Sequence, residues 1–491
     1  MPQVLLAIVV LPFVMSVVAW FTPVMFARYA TMATGCGAFV LSVVLTSRVV
    51  HADVTAGGVL RADPLSIVFL LSVTFLYATT AMFSVGYVDV ARTASGTRYG
   101  HRFYAGLNLF CWSLVVVPLV NGFALLWVAI EITTVVSALL VAIDDTDGSS
   151  EAAWKYVLLA SLGLGIALLA TILMYYAGTS VFGTAYDLSY VTLLHGAPEF
   201  PAAVVRLSFG LAVLGYGTKM GLFPVHTWLP DAHSEAPTPV SALLSGALLA
   251  VSFYAILRFF QIAVARLGPT FPREVLLVFG VATLLLASLS LLRQRDLKRL
   301  LAYSSMEHMG ILSIGMSFAA PLAIFGVLLH VLAHAAAKGT AFFGVGSVVR
   351  KFATKDMTKV KGAIGFLPWS GWMLVAAVLA LSAMPPFGLF RSEFLIVYGG
   401  FAHASTTAAS LLVVLVTVAF FGLSWYTTQT MVSANAVSGE DVSATMRSGE
   451  ISGWIVASMI VGLAALLLLG IHLPSELSLV IRSAARELGV G

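Results

Sequence analysis

Residues 210–244 read GLAVLGYGTKMGLFPVHTWLPDAHSEAPTPVSALL. Lys219 stands inside a membrane-length apolar segment, and Pro224, Pro230, Pro237 and Pro239 then interrupt the helix within a few residues. An ammonium group at the bilayer centre costs about 3 kcal/mol on insertion scales, so it usually faces a wet interior or an opposite charge. A broken helix carrying a buried charge is how many membrane proteins build an ion path. The stretch predicts an all-α membrane protein whose chemistry lies in charges at membrane depth.

Composition agrees. Of 491 residues, 60% are hydrophobic and 10% charged, whereas a soluble domain carries roughly 25% charged residues. The net charge of +4 is small and scattered, which argues against a nucleic-acid partner. Cys36 and Cys111 lie in apolar segments without CxxC spacing, so they predict neither a disulfide framework nor an iron–sulfur ligand set. Any redox centre is therefore expected in a partner. The first apolar run, Val4 to Phe21, lacks a basic leader and reads as a retained span.

Apolar runs long enough to cross roughly 30 Å of hydrocarbon recur to the C-terminus. They fall near 3–21, 29–47, 64–88, 102–120, 123–143, 153–177, 203–224, 238–262, 274–292, 301–318, 322–348, 367–396, 404–432 and 452–472. The expectation is about fourteen transmembrane helices in a single membrane domain, 1–491. Basic clusters at Arg92/Arg98/Arg102, Arg293/Arg295/Lys298/Arg299 and Arg350/Lys351/Lys355/Lys359/Lys361 follow odd-numbered spans. The positive-inside rule places them in the cytoplasm and both termini outside. Span seven breaks at Pro224 and span twelve at Pro385–Pro386, in opposite senses across the membrane, as inverted repeats require.

Four ionisable residues stand out at depth: Glu131 in LLWVAIEITTVVSALLV, Lys219, Lys338 in HVLAHAAAKGTAFF and Glu393 in PPFGLFRSEFLIVY. A single charge of this kind reads as a structural ion pair between helices. Four, divided between two halves, favour a chain of proton-exchanging sites. Desolvation favours a neutral amine and a nearby carboxylate favours the ammonium, so a movable Glu131–Lys219 pair could switch the lysine between holding and releasing a proton. His330 and His334 sit at i, i+4 just before Lys338. Without an HExxH pattern or a third ligand nearby in sequence they read as a packing pair or a water-linked relay, not a metal site. His226, His233 and His308 are placed near helix ends or breaks, as candidate access or relay groups. Glu307 and Glu235 are weaker candidates, each close enough to a helix end to be solvated. No phosphate loop, dinucleotide fingerprint or nucleophile triad is present, and no catalytic site for covalent chemistry is expected.

TKMGLFPVHTWLPDAHSEAPTPVSALLSG, DLKRLLAYSSMEHMG, HVLAHAAAKGTAFF and MPPFGLFRSEF resemble the antiporter-like proton-channel subunits of the complex I superfamily, over about residues 102–432. DAHSEAP, SSMEHMG and LFRSEF look most like hydrogenase-4 component F, of group 4 [NiFe] hydrogenase and formate hydrogenlyase complexes. The resemblance implies two inverted five-helix repeats, 102–262 and 272–432, with broken helices seven and twelve. Helices one to three would occupy 1–101, and helix fourteen with a tail 433–491. By motif, Glu131 and Lys219 take the family's glutamate and lysine positions, Lys338 its central lysine, His330 and His334 its histidines, and Glu393 its terminal charge. The family's helix-eight lysine falls at Ala250, so the link from Lys219 to Lys338 needs another polar group.

The implied function is a proton-translocating, non-redox subunit in a bacterial or archaeal cytoplasmic membrane. It would sit among other membrane subunits and a soluble arm carrying the NiFe site and iron–sulfur clusters. The alternatives are one component of a multisubunit Na+/H+ antiporter, a coupling subunit of another transport complex, or a complex I channel subunit.

Overall fold

The computed structural model describes residues 1–88, 94–403, 405–432 and 447–489, so Arg92 of the first basic cluster lies outside the described residues. The chain folds as helices α1 (Pro2–Phe21), α2 (Val24–Val49), α3 (Pro64–Tyr87), α4 (Ala94–Val116), α5 (Phe123–Val141) and α6 (Asp147–Phe182). A two-stranded antiparallel hairpin, β1 (Val54–Ala56) and β2 (Leu60–Ala62), precedes α3. Next come α7 (Tyr190–Gly196), α8 (Ala202–Met220), α9 (Trp228–Glu235), α10 (Thr238–Leu243), a π turn (Leu244–Leu248), α11 (Leu249–Leu267) and α12 (Thr270–Leu291). The remainder is α13 (Leu297–Ser317), α14 (Pro321–Phe352), α15 (Ala363–Phe366), α16 (Ser370–Leu381), α17 (Gly388–Ala402), α18 (Thr406–Met431), α19 (Gly453–Ile471) and α20 (Ser475–Glu487).

Among the described residues, 11 helices are long and apolar enough to cross a bilayer. Three expected spans fall outside that set, each for a physical reason. α8 carries Arg206 and Lys219, α13 carries Lys298, Arg299 and Glu307, and span twelve is divided between α16 and α17. Sequence reading missed the hairpin, α7 and α20. The last is a short amphipathic helix that lays Val480, Ile481, Ala484 and Ala485 against the bundle. Such a helix is too short to span and is suited to the membrane surface.

Helix boundaries follow from local chemistry. Asp63 caps α3 by accepting from the Ser66 amide at 2.8 Å, and Asp296 caps α13 by accepting from Lys298 and Arg299 amides at 2.8 and 3.0 Å. Thr146 and Ser149 form a reciprocal capping box at α6. α8 ends because Gly221 takes a left-handed conformation (φ 86°), which returns the Gly221 and Leu222 amides to the Gly217 carbonyl. The break is pinned on both sides: Trp228 Nε1 donates to Thr218 O at 2.7 Å, and the Phe223 amide donates to Thr283 Oγ1 at 2.9 Å. The second interruption, between Leu381 and Gly388, holds Pro385 and Pro386.

The core is organised around α14, which packs against α3, α13, α16, α17 and α19. Its small residues permit that crowding. A Cβ on Gly344 would stand 2.7 Å from Leu374 Cβ of α16, and one on Gly346 would meet Thr238 of α10. Close helix approach at small residues replaces the hydrophobic drive that lipid does not supply.

At one end of the bundle the basic clusters around 293–299 and 350–361 meet. The Leu297 amide donates to Lys355 O at 3.0 Å, and Met357 to Arg295 O at 2.8 Å. Lys355 pairs with Glu235 at 2.5 Å and Asp296 at 3.8 Å, while Asp231 pairs with Lys155 and Arg299, both at 3.3 Å. α6, α9, α13 and the segment after α14 are thus tied together on one face. At the other end, buried Arg258 of α11 pairs with the capping carboxylate of Asp63 at 2.6 Å and lies against the rings of Tyr190 and Tyr254.

Candidate functional site: a file of buried ionisable groups

Lys219 ends the last turn of α8 and is completely buried. Its Nζ donates to three acceptors on α5: Ile130 O at 2.8 Å, Thr133 Oγ1 at 2.5 Å and Thr134 Oγ1 at 2.6 Å. The expected direct pair with Glu131 is not formed. Glu131 lies in the same turn of α5 and within electrostatic reach of Lys219. Its Oε1 instead accepts from Ser161 Oγ of α6 at 3.3 Å, and its Oε2 has no hydrogen-bond partner among the described residues. The reason is helical geometry. Residues 130, 133 and 134 share one face of α5, and 131 is rotated about 100° from 130 toward α6. The threonines went unnoticed in the sequence because hydroxyls are common in transmembrane helices and carry no charge.

The second cluster lies between α13, α14 and α17. Lys338 is buried and donates to Leu301 O of α13 at 3.1 Å. Glu307 and His308 were placed near a helix end, and the structure corrects both. α13 begins at Leu297, so these residues lie about 15 Å along it at 1.5 Å per residue. Both are buried. His308 Nδ1 stands 3.1 Å from His330 Nε2 and 3.9 Å from Glu393 Oε1. His330 Nδ1 lies 3.0 Å from Ser392 Oγ, whose own proton goes to Leu389 O at 2.8 Å. Ser392 must then accept from His330 Nδ1–H, which leaves His330 Nε2 to accept from His308 Nδ1–H. The arrangement is a directional hydrogen-bonded file: His308, His330, Ser392, Leu389 carbonyl. His334 lies beside it, edge-on to His308 at 5.1 Å between ring centres, with both nitrogens unpartnered among the described residues.

The remaining candidates divide. His233 is buried inside α9, not at an aqueous face, and its Nδ1 donates to Leu229 O at 2.8 Å. His226 lies in the break between α8 and α9, half-buried, with Nδ1 unpartnered among the described residues. Glu235 ends α9 and is half-exposed in the ion pair with Lys355, as its place near a helix end predicted.

Ala250 is buried in α11 and offers no proton site. One turn earlier, the π turn aims Ser245 at α13, and Ser245 Oγ lies 2.6 Å from Ser305 Oγ. π turns recur at functional positions because they redirect one side chain out of register. Ser245 and Ser305 therefore supply a polar contact between the two halves near the place where the lysine is missing.

The model of the NADH:quinone oxidoreductase/Mrp antiporter transmembrane family matches residues 105–422. The chain belongs to this family. It is an antiporter-like membrane subunit of the complex I superfamily. The chain is 39% identical over 367 residues to a hydrogenase-4 component F homolog of Methylacidiphilum infernorum, covering 74% of this chain and 76% of that one. It is 30% identical over 352 residues to a Na(+)/H(+) antiporter protein of Alkalihalophilus pseudofirmus, covering 67% of this chain and 41% of that one. Among solved structures, a chain of the archaeal membrane-bound sulfane sulfur reductase superposes with a TM-score of 0.86 at 20% identity, over 99% of this chain and 98% of that one. A chain of Thermus thermophilus complex I gives 0.81 at 20% identity, covering 99% and 100%. Those two likenesses show that the chain has the antiporter-like fold.

Proposed function

We propose that this antiporter-like subunit moves protons along its buried Glu, Lys and His residues within a complex I-like oxidoreductase of the group 4 [NiFe] hydrogenase type. The carrying observation is the file of buried ionisable groups at membrane depth: Lys338, Glu307, His308, His330 and Glu393. Burying so many titratable groups in an apolar bundle is costly, and such groups at membrane depth mark ion and proton pathways. Lys219, with Glu131 beside it, is the coupling residue of the first half. On this reading the breaks between α8 and α9 and between α16 and α17 belong to corresponding points of two inverted repeats, 102–262 and 272–432.

On this reading the two termini lie outside a bacterial or archaeal cytoplasmic membrane. A soluble partner arm holds the NiFe site and iron–sulfur clusters, and electron transfer drives transport. The test is proton pumping by the purified complex in proteoliposomes. Lys219→Ala and Glu131→Gln should abolish pumping while leaving assembly intact. Wild-type pumping by the Lys219→Ala complex would overturn the role given to Lys219.

A second reading is favoured by the similarity to the Alkalihalophilus pseudofirmus antiporter protein. Sodium-dependent counter-transport without any redox substrate would select it.

A further inference from the structure

The geometry points to a Zn2+ site formed by His308 Nδ1, His330 Nε2 and Glu393 Oε1, one ligand from each of α13, α14 and α17. These donor atoms all lie within 4.8 Å of one another. His308 and His330 are 3.1 Å apart, and His308 and Glu393 3.9 Å. Donors on a tetrahedral Zn2+ with bonds of about 2.0–2.1 Å stand roughly 3.3 Å apart, so the two imidazoles must part slightly and the Glu393 carboxylate must move in toward them. Two imidazoles and a carboxylate suit Zn2+ better than Mg2+ or Ca2+, which take oxygen ligands.

Two further observations point to a ligand. Glu393 Oε1 is buried without any hydrogen-bond partner among the described residues. The Ser392 oxygen, committed as an acceptor, fixes His330 in the tautomer whose Nε2 lone pair faces the site. His308 becomes a ligand when its proton moves from Nδ1 to Nε2, with no net change of charge. The fourth position is left to water. An ion held there would occupy His308, His330 and Glu393 together and so act as a block. It would occupy groups that the proposed proton route uses, yet its binding is measured without any transport.

The test uses the purified complex, stripped with a chelator and titrated with Zn2+ against a fluorescent zinc indicator, with bound metal counted by mass spectrometry. One Zn2+ per chain is expected. His330→Gln and Glu393→Gln should each weaken binding by at least about 100-fold, and Ser392→Ala by about tenfold through the loosened imidazole. His195→Ala, in the short α7 far along the chain, should bind as wild type. X-ray absorption should show nitrogen and oxygen neighbours and no sulfur. Absence of retained Zn2+, or wild-type affinity in His330→Gln and Glu393→Gln, overturns the site. A complex that binds Zn2+ here yet fails to pump even when stripped of metal refutes the proton-transport reading and leaves the metal site standing.

Discussion

Lys219 Nζ meets the carbonyl oxygen of Ile130 at 2.8 Å, while the carboxylate of the next residue, Glu131, turns away to Ser161. The lysine is thus held by neutral acceptors, with a carboxylate near enough to act on its charge without locking it. A direct buried ion pair would trap the proton. Neutral acceptors let the ammonium form and dissipate as the field around it changes.

Removing those acceptors should therefore impair transfer while Lys219 itself is kept. Thr133→Val with Thr134→Val strips two hydroxyls from a charged donor, each worth about 1.5–3 kcal/mol. Pumping in proteoliposomes should fall by on the order of tenfold or more, with each single variant affected less. A double variant pumping at the wild-type rate would show the hydroxyls to be packing groups only.

Lys219→Arg tests deprotonation separately from charge. Guanidinium stays protonated at any accessible pH. The variant should assemble and retain a positive group in the same cavity, yet pump no better than Lys219→Ala. Recovered pumping would mean that the residue works as a fixed charge.

Ser245→Ala tests the passage between the halves. The Ser245–Ser305 contact at 2.6 Å stands near the alanine that replaces the expected lysine. Loss of either hydroxyl should slow proton transfer by about tenfold, the scale of one hydrogen bond. Ser245→Thr should restore most of it. An unchanged rate in Ser245→Ala would remove this pair from the route.

The Arg258–Asp63 pair at the opposite end is a clamp, and its prediction concerns stability. The side chains are 3% and 2% exposed. Breaking a buried pair from one side leaves an uncompensated charge and costs about 3–5 kcal/mol. Arg258→Met alone should lower the melting temperature of the purified complex sharply. Adding Asp63→Asn, which removes the charge and keeps an acceptor for the Ser66 amide, should recover most of the loss, which a double-mutant cycle measures.

Glu487 makes the docking of α20 pH-dependent. Burial pushes its carboxyl up to about 8, Asp63 adds to the effect and Arg258 opposes it. A raised acid pKa means that the docked form binds the proton more tightly than the undocked one. The contribution is thus present in full below the ordinary value near 4.5 and is lost as pH rises through about 8. The protection of amides 475–487, corrected for the intrinsic pH dependence of exchange, should fall across that window in the wild type and stay flat in Glu487→Gln. A flat wild-type profile would contradict this.

Residue chemistry alone made the membrane class legible, as well as the two interruptions and the candidate charges. A charge or a proline within an apolar run is a local signal, because lipid leaves no water to satisfy it. Glu131, Lys219, His330, His334, Lys338 and Glu393 all stood out for that reason. Which of them meet was another matter. Lys219 finds its acceptors 85 to 89 residues away, Ser245 meets Ser305 across 60, and Arg258 meets Asp63 across 195. Such meetings depend on helix rotation and approach, set by packing at small residues such as Gly344 and Gly346. Hence Glu131 turned from its expected partner, and His308 and Glu307 moved from a supposed helix end into the buried file. The hydroxyls that line the file carry no charge, so nothing in their own stretch of sequence distinguished them from ordinary packing.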